Sequence, residues 1–123
     1  MSDLDEQDNE DLAKRQLLGK RIKDARNRKN LSQDQLGKAL GKDQRAIYEY
    51  ESGTRKLPVT DLPKLASELD VNILYFLEDS VSQDDLDQLL LTAFHNLSSD
   101  KAKRKAIAIV TLLGKDDVDL PPR

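Results

Sequence analysis

The sequence predicts an all-α fold, with five short helices in one unit followed by a C-terminal helical pair. Leucine is the first indication: there are 21 Leu against 14 Val, Ile and Thr together, a balance that favours helices over strands. No stretch sustains the apolar–polar alternation of a half-buried strand. Apolar residues also recur at three- and four-residue spacing, between residues suited to start a helix and glycines suited to end one.

Residues 1–11 (MSDLDEQDNED) hold six acids, no base and no apolar periodicity, and are expected to form a disordered acidic tail. Leu18, Ile22 and Ala25 follow helical spacing to about residue 29. Ser32 is suited to N-cap the next helix, Gln35 stands at the return position of a capping box, and Leu31 with Leu36 can staple it. That helix carries Leu36 and Leu40 and stops at Gly41, which tolerates the left-handed C-terminal position. Asp43 is suited to cap a third helix, which buries Ile47 and Tyr50 and ends at Gly53. Two helices of about nine residues joined by a short Gly-containing link make the pattern of a helix-turn-helix.

After the polar turn Gly53-Thr54-Arg55-Lys56, Thr60 is expected to cap a helix with Leu62, Leu65, Ala66 and Leu69 on one face. Pro63 falls in its first turn, where a missing N–H costs little. Asn72 then caps a short helix presenting Ile73, Phe76 and Leu77. A second unit opens at Ser82, with Leu86, Leu89, Leu90, Ala93, Phe94 and Leu97 in one apolar stripe. Ser98 or Ser99 caps a last helix that turns Ala102, Ala106, Ile109, Val110 and Leu113 inward and closes at Gly114. The expected division is a tail at 1–11, a helix-turn-helix domain at 12–79, a helical unit at 80–114 and a loose tail at 115–123. Two helices of this length cannot bury both stripes alone, so they pack on the first unit or on a second copy of the chain.

With 123 residues, 35% charged and 37% hydrophobic, the chain has room for one small domain with appendages. It has no Cys and one His, which leaves no basis for disulfides, thiolate chemistry or clustered metal ligands, so neither metal nor cofactor is expected. His95 falls off its helix's apolar stripe and is expected to be an exposed structural residue. The longest apolar run, Ala106 to Val110, is too short for a membrane span or a signal-peptide core, and a soluble cytoplasmic chain is the expectation. A net charge of −3 and a pI near 5.2 taken alone argue against a nucleic-acid partner. The distribution argues otherwise: residues 12–57 hold 13 Lys and Arg against five Asp and Glu, flanked by acidic segments.

The run LSQDQLGKALGKDQRAIYEYESGTRKLP, followed by LPKLASELDVNILYFL, resembles the lambda-repressor-like helix-turn-helix family of the Cro and Xre type. The resemblance extends from Leu18 to Leu77, about half the chain. It rests on Ser/Thr-Gln-acid-x-Leu-Ala, then Leu-Gly-x-x, then a recognition helix ending in Ile-x-x-Tyr/Ile-Glu-x-Gly. Two positions depart from that pattern. Lys42 stands where an apolar turn residue is usual. Gly37 replaces the usual Ala, preserving close helix approach at a cost of about 1 kcal/mol in helix propensity.

The resemblance implies a lambda-repressor-like DNA-binding domain and a sequence-specific transcriptional regulator. The favoured form is a repressor holding a palindromic operator in double-stranded DNA as a homodimer. In a helix-turn-helix the second helix enters the major groove and reads base edges with its N-terminal residues. Those residues are Gln44, Arg45 and Ala46, with Glu49 one turn on. Gln pairs with adenine, Arg with guanine, and an Ala methyl can touch a thymine methyl. Glu49 can accept from a cytosine amine or stand solvated, and its type alone does not decide. Gln33, first on the preceding helix, is expected near a phosphate, and the resemblance implies that it braces Gln44. Lys42, Arg55 and Lys56 flank the recognition helix and are assigned to phosphates. Lys20, Arg21, Lys23, Arg28 and Lys29 extend the positive field. The resemblance further implies a buried Arg26–Glu51 ion pair between the first and third helices.

Leu86, Leu90, Phe94, Ile109, Val110 and Leu113 are the expected dimer interface. A different reading is an antitoxin-type interaction protein whose C-terminal helices bind a partner protein. An enzyme is not expected, since the sequence offers no nucleophile–base pair, phosphate-cradling Gly loop or paired carboxylate in an apolar setting.

Overall fold

The computed structural model describes residues 3–115, and over them the fold is all-α. The elements are α1 (Asp3–Arg28), α2 (Gln33–Leu40), α3 (Gln44–Ser52), a 3₁₀ turn (Val59–Asp61), α4 (Leu62–Leu69), α5 (Leu74–Leu77), α6 (Gln83–His95) and α7 (Asp100–Leu113).

α1 begins far earlier than expected. From Asp3 onward the segment expected to be a disordered tail is helical; residues 1 and 2 lie outside the described residues, as does the expected tail at 115–123 beyond Lys115. Apolar periodicity reports which face of a helix packs, not whether the helix forms. The early turns of α1 are exposed at Glu6–Glu10, and acids at a helix N-terminus suit its positive dipole end. The Gln7 side-chain amide donates to Asp11 Oδ1 one turn on, at 3.2 Å.

Capping sets the next elements. The Gln35 N–H donates to Ser32 Oγ at 3.0 Å and the Ser32 N–H donates to Gln35 Oε1 at 2.8 Å, completing the capping box. α2 ends at Gly41 with φ of 69°, and α3 ends at Gly53 with φ of 80°. The Ala46 N–H donates to Asp43 Oδ1 at 2.8 Å, which starts α3 where the sequence places it. Thr60, by contrast, does not cap α4. It lies within a 3₁₀ turn whose last residue, Asp61, already has helical backbone angles, so no extended capping position exists there. Asn72 holds the start of α5 through Oδ1, which accepts the Leu74 N–H at 3.0 Å.

One core joins these elements. Ile22 and Ala25 of α1, Leu36 of α2, Ile47 and Tyr50 of α3, Leu62, Leu65 and Leu69 of α4, and Phe76 of α5 are buried together. Each of the large side chains contributes about 1.5–3 kcal/mol by leaving water. Gly19 lets α1 cross α3 closely: a Cβ there would stand on the carbonyl oxygens of Tyr50 and Glu51. The core continues past α5. Val81 is buried in it, and Leu86 and Leu89 on the first turns of α6 rest against it. Arg21 donates to the Glu78 carbonyl and to Ser80 Oγ, tying this link back to α1.

α7 is different. No residue of α6 or α7 is buried. The α7 stripe expected to face inward is open, with Ile109 57%, Val110 47% and Leu113 39% exposed.

Candidate nucleic-acid interface

The helix pair α2–α3 places Gln33 and Gln44 as the first residues of their respective helices. A four-member series of side chains then sets how Gln44 is held. The Arg26 Nε donates to Glu51 Oε2 at 2.6 Å, and Nη2 donates to Oε1 at 3.0 Å. A third donor, Nη1, reaches the Leu31 carbonyl at 2.8 Å. Both side chains are almost fully shielded, so this ion pair is a packed element of the α1–α3 contact. The Gln33 Nε2 donates to Glu51 Oε1 at 3.0 Å, and the Gln44 Nε2 donates to Gln33 Oε1 at 2.6 Å.

The direction of that series follows from chemistry. A carboxylate only accepts, so the Gln33 amide must turn its NH₂ toward Glu51 and its oxygen toward Gln44. Gln44 must then offer NH₂ to Gln33. One N–H and the carbonyl oxygen of Gln44 remain free toward solvent, the donor–acceptor pair that matches the N7 and N6 edge of adenine.

The cations expected on DNA all have carboxylate partners. Arg45 Nε lies 2.9 Å from Glu49 Oε1, and Arg55 Nε lies 3.1 Å from Glu49 Oε2. Glu49 is therefore clamped between two guanidiniums. Lys42 Nζ is 3.5 Å from Asp61, and Lys56 Nζ is 3.3 Å from Asp85 in the first turn of α6. These pairs are solvent-accessible, so water and salt screen them and either partner can exchange. Arg28 at the end of α1 donates to the Tyr75 hydroxyl at 2.8 Å, and Lys29, just past that helix, sits 3.9 Å from Asp70. Arg21, Arg28 and Lys29 thus serve the contact of α1 with the C-terminal part of the fold.

One expected reader is misplaced. Ala46 is buried at 4% exposure, so its methyl faces the core and cannot meet a base. A residue that the sequence reading passed over takes the open position: Tyr48 is 57% exposed and lines a shallow concavity with Gln44, Arg45, Glu49 and Thr54. Its spacing of four residues from Gln44 was the available signal, because i and i+4 share a helix face.

On α6 and α7, the six residues expected at a dimer interface divide. Leu86 rests partly on the chain's own core. Phe94 is half-buried, with Lys103 Nζ 5.7 Å from its ring centroid. Leu90, Ile109, Val110 and Leu113 are exposed, together with Leu91, Ile107 and Leu112.

A helix-turn-helix family model matches residues 22–76. Two uncharacterised HTH-type transcriptional regulators of Sinorhizobium fredii are similar to the chain. One, y4aM, is 34% identical over 62 residues, covering 50% of this chain and 43% of the relative. The other, y4wC, is 32% identical over 66 residues, covering 54% and 46%. An uncharacterised HTH-type transcriptional regulator of Sinorhizobium medicae is 33% identical over 63 residues, covering 51% and 45%. The chain spans just under half the length of these relatives. No solved structure matches it.

Proposed function

Because residues 22–76 form a helix-turn-helix domain of the Cro/Xre type, we propose that the chain is a sequence-specific DNA-binding transcriptional regulator. In this reading it is a repressor that holds a palindromic operator as a homodimer. The observation that carries the reading is the Gln44 amide, exposed at the first turn of α3 and oriented through Gln33 by a buried ion pair. A side chain held this firmly at a helix start is suited to reading one base edge. Arg45 stands beside it as a second reader. Lys42, Arg55 and Lys56 exchange their carboxylate partners for phosphates, and Gln33 adds the phosphate contact of a helix N-terminus.

The exposed apolar side chains of α6 and α7 support the second copy. A helix as short as α7 is marginal in water without burial of its apolar face. Pairing with the same face of another chain supplies that burial and generates two-fold symmetry. Two α3 helices then meet half-sites about 34 Å apart, or a multiple of that spacing. The bound dimer represses by occupying promoter DNA, with no chemistry on the DNA. Exposed apolar side chains on α7 would equally suit a partner protein of an antitoxin-type chain, which is the second reading.

Selection of bound sequences from a random DNA pool tests the first reading, with light scattering on the free chain. Enrichment of a palindrome together with a dimer mass is expected. A pool that stays random overturns sequence-specific binding. A chain that stays monomeric with its α7 side chains exposed favours the partner-protein reading.

A further inference from the structure

The recognition surface lacks the apolar element that the sequence assigned to it. Ala46 is buried, and the Glu49 carboxylate is held between Arg45 and Arg55. What α3 exposes on the face of Gln44 is Tyr48, the only large apolar side chain of that helix open to solvent. The chain's two other tyrosines are used internally: Tyr50 is buried in the core, and the Tyr75 hydroxyl accepts from Arg28. Among the described residues the Tyr48 hydroxyl has no hydrogen-bond partner. The ring stands between polar neighbours that have their own partners, leaving its face for whatever enters the concavity.

The largest apolar group on the base-pair edges in the major groove is the C5-methyl of thymine. We propose, on the footing of the DNA-binding reading above, that Tyr48 is a specificity-determining residue. Its ring packs on the C5-methyl of one thymine in each half-site. Four helical residues advance about 6 Å, so that thymine lies within about two base-pair steps of the base read by Gln44. The contact is apolar and needs the ring rather than the hydroxyl.

The test uses the full chain and its selected operator, with uracil replacing each thymine in turn to remove only the methyl. For the wild-type chain, one thymine per half-site should show about a fourfold weakening, the worth of one buried methyl. Tyr48→Ala should bind the thymine operator more weakly and show no further loss at that uracil. Tyr48→Phe should behave as the wild type does. Thermal melting of both variants should match the wild type, because the side chain is exposed. The proposal is overturned if no thymine within two steps of the Gln44-read base is methyl-sensitive, or if Tyr48→Ala keeps the full methyl penalty. It is also overturned if Tyr48→Phe loses as much as Tyr48→Ala, which would mark a hydroxyl–phosphate contact. If the wild-type chain enriches no sequence, the regulator reading itself fails, an outcome distinct from a selected operator that ignores Tyr48.

Discussion

Four side chains in series, Arg26, Glu51, Gln33 and Gln44, decide which edge the first amide of α3 turns outward. Gln44→Ala should therefore cost about 1–3 kcal/mol on the selected operator and leave non-specific affinity nearly unchanged in binding titrations. Gln33→Ala should remove part of the same energy. A double-mutant cycle with Gln44→Ala is expected to show coupling of about 0.5–3 kcal/mol; strict additivity would separate the two amides. Arg26→Met acts elsewhere, on folding. It strands a shielded Glu51 carboxylate, and denaturant unfolding should report a loss of about 3–5 kcal/mol. Residue types in this series were legible from the family pattern, but the amide directions were not, since they depend on sharing one Glu51 oxygen. Ala46 shows a plainer limit. At 100° per residue it sits about 200° from Gln44, whereas Tyr48 returns to within about 40°, so nearness in sequence misled where angle did not.

At the scale of elements, helix ends proved the most legible feature because caps act over three or four residues. Ser32 and Asp43 accept the backbone N–H that the spacing predicts, Ser82 caps α6 where the second unit was expected to open, and of Ser98 and Ser99 it is Ser99 that caps α7. Ser32→Ala should lower stability by about 1 kcal/mol in thermal or denaturant unfolding. Thr60 failed because the chain enters α4 through a 3₁₀ turn, which needs no capping side chain. The early start of α1 was hidden for another reason, since those turns are exposed and leave no apolar trace. Gly19 was equally silent: a glycine inside a helix reads as a weakness until the partner backbone is seen. Gly19→Ala improves helix propensity yet drives a Cβ into the Tyr50 and Glu51 carbonyls, so a net loss of about 1–3 kcal/mol is expected in unfolding experiments. A stabilised variant would mean that α1 can shift away from α3.

For the whole molecule, the uneven placement of apolar surface carries the argument. Among the described residues, seven of the ten exposed large apolar ones lie on α6 and α7, a concentration that a solvated monomer rarely keeps. Ile109→Glu should leave the helix-turn-helix core folded while shifting light scattering from dimer to monomer; an unchanged dimer mass would move the interface off α7. Stability of the wild-type chain should also rise with protein concentration. Charge is distributed just as unevenly, but to opposite effect. Each cation assigned to the duplex already carries a protein carboxylate: Asp61 for Lys42, Glu49 for Arg45 and Arg55, and Asp85 for Lys56. These acids act as built-in counterions. In the proposed DNA complex binding is partly an exchange, in which phosphate displaces a carboxylate and the freed carboxylate recruits a salt cation from solution. The logarithmic dependence of affinity on salt should accordingly be shallower than the number of phosphate contacts implies, and Asp85→Asn should steepen it.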